Sequence, residues 1–221
     1  MLPIGDDNSA RRITPIVTYV LIVLNVLVFF LELNNGEAFI QRWAFIPSRF
    51  QSDPVGDIVT LFTSMFMHAG WAHLLGNMLY LWIFGDNVED RLGHVLYLVF
   101  YILCGLAATF AQLAISLGSS VANVGASGAI AGVLGAYLIM FPRGRVNVLL
   151  GRFITPMSAL VVIGFWILIQ IFSQISVFSA SSQGGGGVAY MAHIGGFVAG
   201  VVLTFLLGAN RRALPPSGSY R

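Results

Sequence analysis

Six apolar stretches, each near the length of a bilayer-crossing helix, make up most of this chain and restrict where it can fold. A hydrocarbon core takes roughly 20 apolar residues per helix. Runs of that kind, bounded by charge, Gly clusters or Pro, fall at residues 16–33, 58–84, 95–117, 127–141, 156–178 and 188–207. The 221 residues are 57% hydrophobic and 9% charged, too few charges to solvate a globule of this size. The expected fold is therefore an all-α polytopic membrane protein, with six transmembrane helices over residues 16–208. A cytoplasmic segment at 1–15 and a cytoplasmic tail at 209–221 flank them. Asp6 and Asp7 beside Arg11 and Arg12 suit neither a cleavable signal nor a transit peptide, so the first run is expected to stay as an anchor.

Orientation follows from arginine, since cytoplasmic flanks collect basic residues. With both termini inside, nine of the eleven arginines face the cytoplasm and only Arg42 and Arg49 fall outside. A prokaryotic cell (inner) membrane is the expected setting. The segment 34–57, in which Phe39, Trp43, Phe45 and Phe50 mix with Arg42 and Arg49, suits the headgroup region of the outer leaflet. Residues 179–187, with Gly184–Gly187, read as a flexible outer loop. The charge is too small and scattered for a nucleic-acid partner. The lone Cys104, inside an apolar run, reads as a packing residue.

The fourth run is short. Its 15 residues make about 22 Å of helix against roughly 30 Å of hydrocarbon, so its outer end should be sunk beside a hydrated pocket at Ser127. Polar groups inside the membrane are costly and mark functional sites by default. Those singled out are His68, His73 with Asn77, Ser127 and His193, all at outer ends of their runs on this orientation. A single intramembrane His can simply bond one helix to another. Two small-xxx-small patterns, Gly128/Gly132 and Gly196/Gly200, argue for more. If those faces meet backbone to backbone, they bring Ser127 and His193 within hydrogen-bonding reach.

A serine hydroxyl becomes a useful nucleophile when a base takes its proton, and neutral imidazole suits that role near pH 7. No acidic residue follows Asp90, and none falls well inside a span, so a Ser–His dyad is expected rather than a triad. His73 and Asn77, four apart on one helix face, can join the Ser127 N–H as an oxyanion hole. There is no His-Glu-x-x-His, and three scattered histidines make a poor zinc site; no metal or cofactor is expected.

These residues resemble the rhomboid family of intramembrane serine proteases. His68-x4-His73-x3-Asn77, Gly125-Ala126-Ser127-Gly128 and Ala192-His193-Ile194-Gly195-Gly196-Phe197 stand in that family's order and spacing, and Trp82 to Asp90 is similar to its second-helix ending. The resemblance implies Ser127 as nucleophile, His193 as base, and His73 with Asn77 as oxyanion contacts. Gly125, Gly128 and Gly196 support them, and His68 holds the cavity's water and outer loop. It implies an endopeptidase whose partners are the bilayer and the locally unstable transmembrane helices of membrane-protein substrates, cut beside small residues and entering past the second and fifth helices. Two departures stand out: Val59-Thr60 stands where many members carry Trp-Arg, and Ala131 where some place a Tyr stacked on the histidine. The rival readings are a transporter or channel with a polar path, and a proteolytically inactive relative that escorts membrane proteins.

Overall fold

The computed structural model describes residues 1–179 and 188–209. The expected loop with Gly184–Gly187 and nearly all of the expected tail at 209–221 lie outside the described residues. The chain opens with a strand, β1 (Leu2–Asp6), followed by α1 (Ile16–Trp43), α2 (Pro47–Ser52), α3 (Thr60–Thr63) and a 3-10 turn (Ser64–Phe66). The long helices α4 (Trp71–Leu92), α5 (His94–Ile115) and α6 (Ser127–Met140) come next. A hairpin of β2 (Arg145–Leu150) and β3 (Phe153–Ser158) leads into α7 (Ala159–Ser179) and α8 (Tyr190–Leu206).

Three of these helices, α1, α5 and α7, are long and apolar enough to cross a membrane; α6 and α8 are apolar but shorter. The axis of the bundle is α6. Every residue from Gly128 to Tyr137 is buried, as expected of a helix apolar on all sides. It packs against α8, α5 and α4, and α8 packs in turn on α5. Glycine makes that closeness possible. A Cβ on Gly196 would fall on the carbonyl of Gly128, and one on Gly200 on that of Gly132.

The structure departs from the sequence reading in three places. The fold is mostly helical but not all-α, because β1, β2 and β3 form an antiparallel sheet in that order. Within 145–150, Val146 and Val148 point into the core while Arg145 and Asn147 are exposed. That alternation of period two is hidden by the arginines around it, and it makes 156–158 the end of a strand rather than of a span. The second run, expected at 58–84, is short turns up to Phe66 and a helix only from Trp71. That helix continues to Leu92 because its charged end is bonded rather than solvated. Glu89 accepts from the Val17 and Thr18 N–H groups at 2.9 and 2.8 Å and from the Thr18 hydroxyl at 2.7 Å, so it caps the first turn of α1. Asp90 accepts from the N–H groups of Arg12 and Ile13, and Asp86 pairs with Arg11 at 2.7 Å. Finally, α1 runs past residue 33 to Trp43 with a break at Gly36 (φ 64°), which leaves Glu32 buried inside a helix.

The segment expected at 34–57 is partly folded inward. Ala44, Phe45 and Ile46 are buried, and Phe45 bridges to Asn123 in the loop before α6. Arg49 ties the segment down by pairing with Asp57 at 2.7 Å and donating to the carbonyls of Ala44 and Gln41. Where the family pattern has Trp-Arg, Thr60 is buried with its hydroxyl on the Asp57 carbonyl at 2.7 Å, so this anchorage passes through Arg49 and Asp57.

Candidate active site

The loop into α6 is fixed before the helix begins. Asn123 N–H donates to the Phe45 carbonyl at 2.8 Å, and Gly125 N–H to the Ser64 carbonyl at 2.9 Å. Gly125 adopts φ 137°, and a Cβ there would lie 2.8 Å from the His73 ring, so only glycine allows this turn beside that imidazole. Ser127 then starts α6, at a helix end whose first N–H groups have no partner within the helix. On α8, His193 lies one turn above Gly196, the residue seated on Gly128. The close approach places His193 Nε2 2.7 Å from Ser127 Oγ.

The other imidazole nitrogen is also engaged. His193 Nδ1 lies 2.8 Å from Oε1 of Gln170 on α7. Sequence reasoning passed over Gln170. The available signal was a pair of amides, Gln170 and Gln174, four apart in an otherwise apolar run, and both are buried. The Trp166 ring lies 5.8 Å from the imidazole at an interplanar angle of 36°. Ala131, where the resembling family places a stacking Tyr, is buried and bare; confinement of His193 comes from α7 instead.

His73 and Asn77 face the same space. His73 Nδ1 accepts from the Ala69 N–H at 3.4 Å, leaving Nε2 to carry the proton beside Gly125. Asn77 Nδ2 is buried and donates to no protein atom among the described residues. It lines the cavity, where a buried amide donor can serve an oxygen that enters. His68 stands behind them. Its ring meets His73 edge-on at 5.1 Å, and its N–H donates to both carboxylate oxygens of Glu32 at 3.1 Å. It does not line the cavity but supports His73 from the rear.

Ser127, His193, His73 and Asn77 all open on one cavity of about 690 Å³, walled by Gly76 and Tyr80 of α4, Trp166 of α7 and the 121–124 loop. Among the described residues no group of three or more His, Cys, Asp or Glu is placed to hold a metal ion. Such a site can pass a proton from hydroxyl to imidazole and offer hydrogen-bond donors to a developing negative charge.

A polar site built between apolar helices defines an integral membrane protein whose working groups lie inside the bundle. The Rhomboid domain family matches residues 55–210, and the chain belongs to the rhomboid family. It is 31% identical over 208 residues to Rhomboid protease GluP of Bacillus subtilis (strain 168), covering 93% of this chain and 36% of that protein. To the mitochondrial Rhomboid protein 1 of Saccharomyces cerevisiae it is 30% identical, over 83% of this chain and 51% of the relative. A third relative, Putative rhomboid protease YdcA of Bacillus subtilis, is 27% identical over 88% of this chain and 89% of its own length. The chain thus spans about a third to a half of the length of the first two.

Proposed function

We propose that this protein is an intramembrane serine endopeptidase that cleaves the transmembrane segments of other membrane proteins. The observation that carries the reading is the 2.7 Å contact between Ser127 Oγ and His193 Nε2 at the wall of a cavity large enough for a peptide segment. His193 takes the Ser127 proton as Oγ attacks the scissile carbonyl. His73 Nε2–H, Asn77 Nδ2–H and the Ser127 N–H then receive the oxyanion. His193 returns the proton to the leaving amine, and a water admitted to the cavity, activated by the same imidazole, releases the acyl group. The aligned relatives named as rhomboid proteases support the reaction class.

In this reading the chain crosses the membrane six times, with α1, α4, α5, α6, α7 and α8 as the spans and both termini in the cytoplasm of a prokaryotic cell. Residues 16–208 are the protease domain. The segment 34–57 lies at the outer leaflet, and substrate enters between α4 and α7, whose Tyr80 and Trp166 flank the cavity. The transporter and inactive-relative readings are left without a role for the Ser127–His193 contact.

The test is labelling of purified protein by a fluorophosphonate, with cleavage of a reconstituted transmembrane substrate. Wild type should label and cleave. Ser127→Ala and His193→Ala should do neither while expressing normally, since neither residue is a large packing element. Cleavage by a Ser127→Ala protein would end the proposal.

A further inference from the structure

We propose that Gln170 is the positioning residue of the His193 base, so that the site works as a Ser127–His193–Gln170 relay with a neutral third member. This rests on the reading of Ser127 and His193 given above, and it adds a residue that acts through the imidazole.

The geometry assigns the role through hydrogen-bond direction. To accept the Ser127 proton, His193 must present a bare Nε2, and its own hydrogen must therefore sit on Nδ1. Gln170 Oε1, 2.8 Å from Nδ1, is an acceptor and selects that tautomer. The amide cannot be reversed without cost, because its Nε2 donates to the Trp166 carbonyl one turn earlier on α7 at 3.2 Å. Reversal would turn an N–H toward Nδ1, force the hydrogen onto imidazole Nε2, and set that hydrogen against Ser127. Both side chains are fully engaged and hidden: Gln170 is 6% exposed and His193 9%. Among the described residues, no charged group is hydrogen-bonded to the imidazole.

The chemistry explains why an amide serves here. A carboxylate would hold the tautomer and also favour the imidazolium, but it would carry an uncompensated charge into the apolar layer. An amide oxygen holds the tautomer at far lower desolvation cost. Once the imidazole is protonated, the Nδ1–H to Oε1 bond becomes charge-assisted and stronger than in the resting state. Gln170 therefore contributes more in the transition state than in the ground state, and its loss belongs in kcat rather than KM.

The experiment compares wild type, Gln170→Met, which keeps length without an acceptor, and Gln170→Glu, which keeps the acceptor and adds charge. Three readouts are fluorophosphonate labelling, kcat and KM against pH on a transmembrane substrate, and the imidazole 15N spectrum that reports the tautomer of His193. Gln170→Met should lose roughly 10–100-fold in kcat, taking the range for hydrogen-bond partners that orient metal-bound histidines as the guide, with KM held. Its His193 should no longer be held as the Nδ1–H tautomer. Gln170→Glu should keep that tautomer, with the acid limb of kcat/KM moved to higher pH. A wild-type spectrum with the hydrogen on Nε2 overturns the proposal, even where a variant fails to fold. So does a folded Gln170→Met protein with wild-type kcat and pH profile while wild type labels. Failure of wild type to label would instead remove the Ser127 reading beneath it.

Discussion

Gly196 of α8 faces the backbone of Gly128 in α6 so closely that a Cβ on Gly196 would fall on the Gly128 carbonyl oxygen. One turn on, Gly200 repeats the contact with Gly132, and Gly132 itself is pressed by Cys104 of α5. The side chains of Ser127 and His193 stand at the end of this backbone seam, and their 2.7 Å separation is inherited from it.

Gly196→Val and Gly132→Val should therefore depress turnover by about 10²-fold or more, since a 1 Å displacement of reacting groups costs about that much. Gly164→Ala is the control: α7 has open space at that position, and a Cβ there meets no atom within 4 Å. Turnover and thermal midpoint measured together separate misalignment from unfolding. Wild-type rates in both valine variants would show that the seam does not set the Ser–His approach.

At the opposite end of the bundle, Glu89 is 0% exposed and serves the Val17 and Thr18 N–H groups, the Thr18 hydroxyl and the ring of His94. Glu89→Ala strands these donors in a buried setting and should cost about 3 kcal/mol or more of stability, seen as a lowered thermal midpoint. Glu89→Gln, which keeps one acceptor oxygen, should recover part of it. An unchanged midpoint in the alanine variant would mean that α1 is held by apolar packing alone.

The Ser127–His193 contact was legible because its determinants are short-range patterns: Gly125 to Gly128 opens a short apolar helix, and the Gly128/Gly132 and Gly196/Gly200 spacings dictate which faces meet. Gln170 was not legible as a partner, since the rotation of α7 that aims it at His193 is set by tertiary packing. Glu32 depends on tertiary structure in a similar way: the first run was drawn to residue 33, yet α1 continues past it, and the Glu32 carboxylate accepts the His68 N–H. The partners of Asp86, Glu89 and Asp90, which are Arg11, Thr18 and the Arg12 N–H, lie about 70 residues or more away in sequence and leave no local signal. The three-stranded sheet was missed because β1 and β2 are distant in sequence and each is only five or six residues long.

Asp6, at the end of β1, gives that sheet a pH dependence. Its Oδ2 accepts from the Tyr137 hydroxyl and from Asn87 Nδ2, each at 2.8 Å, while its Oδ1 is buried without a partner among the described residues. Burial, outweighing the Tyr137 bond and assisted by the charge of Asp86, pushes its carboxyl up from 3.8 to about 7. The folded state thus keeps a proton that the unfolded chain releases, so the stabilisation is complete below about pH 4 and is lost as pH rises toward 7. Hydrogen exchange at the β1–β2 amides should accelerate between about pH 4 and pH 7 beyond its intrinsic rise, and Asp6→Asn should abolish that excess. An equal excess in the asparagine variant would assign the effect to another group, with Asp86, whose charge raises the Asp6 carboxyl, the first candidate.

His73 and Asn77 should behave differently from the nucleophile, because an oxyanion contact lowers the barrier without supplying a reacting atom. Asn77 Nδ2 is a buried donor that bonds no protein atom among the described residues, and His73 Nε2 lies against Gly125, two residues from Ser127. Both donors are thus in place before substrate arrives, which is the arrangement that stabilises charge without reorganisation. Losing one such donor typically costs roughly 10²–10³ in turnover, about 3–4 kcal/mol, and His73→Ala and Asn77→Ala should each show a loss of that order in kcat. If both grip one oxygen, their effects couple, and the double variant should lose less than the product of the single losses. The measurement is kcat and KM for the two singles and the double in liposomes. A rise in KM at constant kcat would make His73 and Asn77 substrate-positioning groups, and the unpartnered Nδ2 of Asn77 would then be a donor for the bound peptide rather than for the oxyanion.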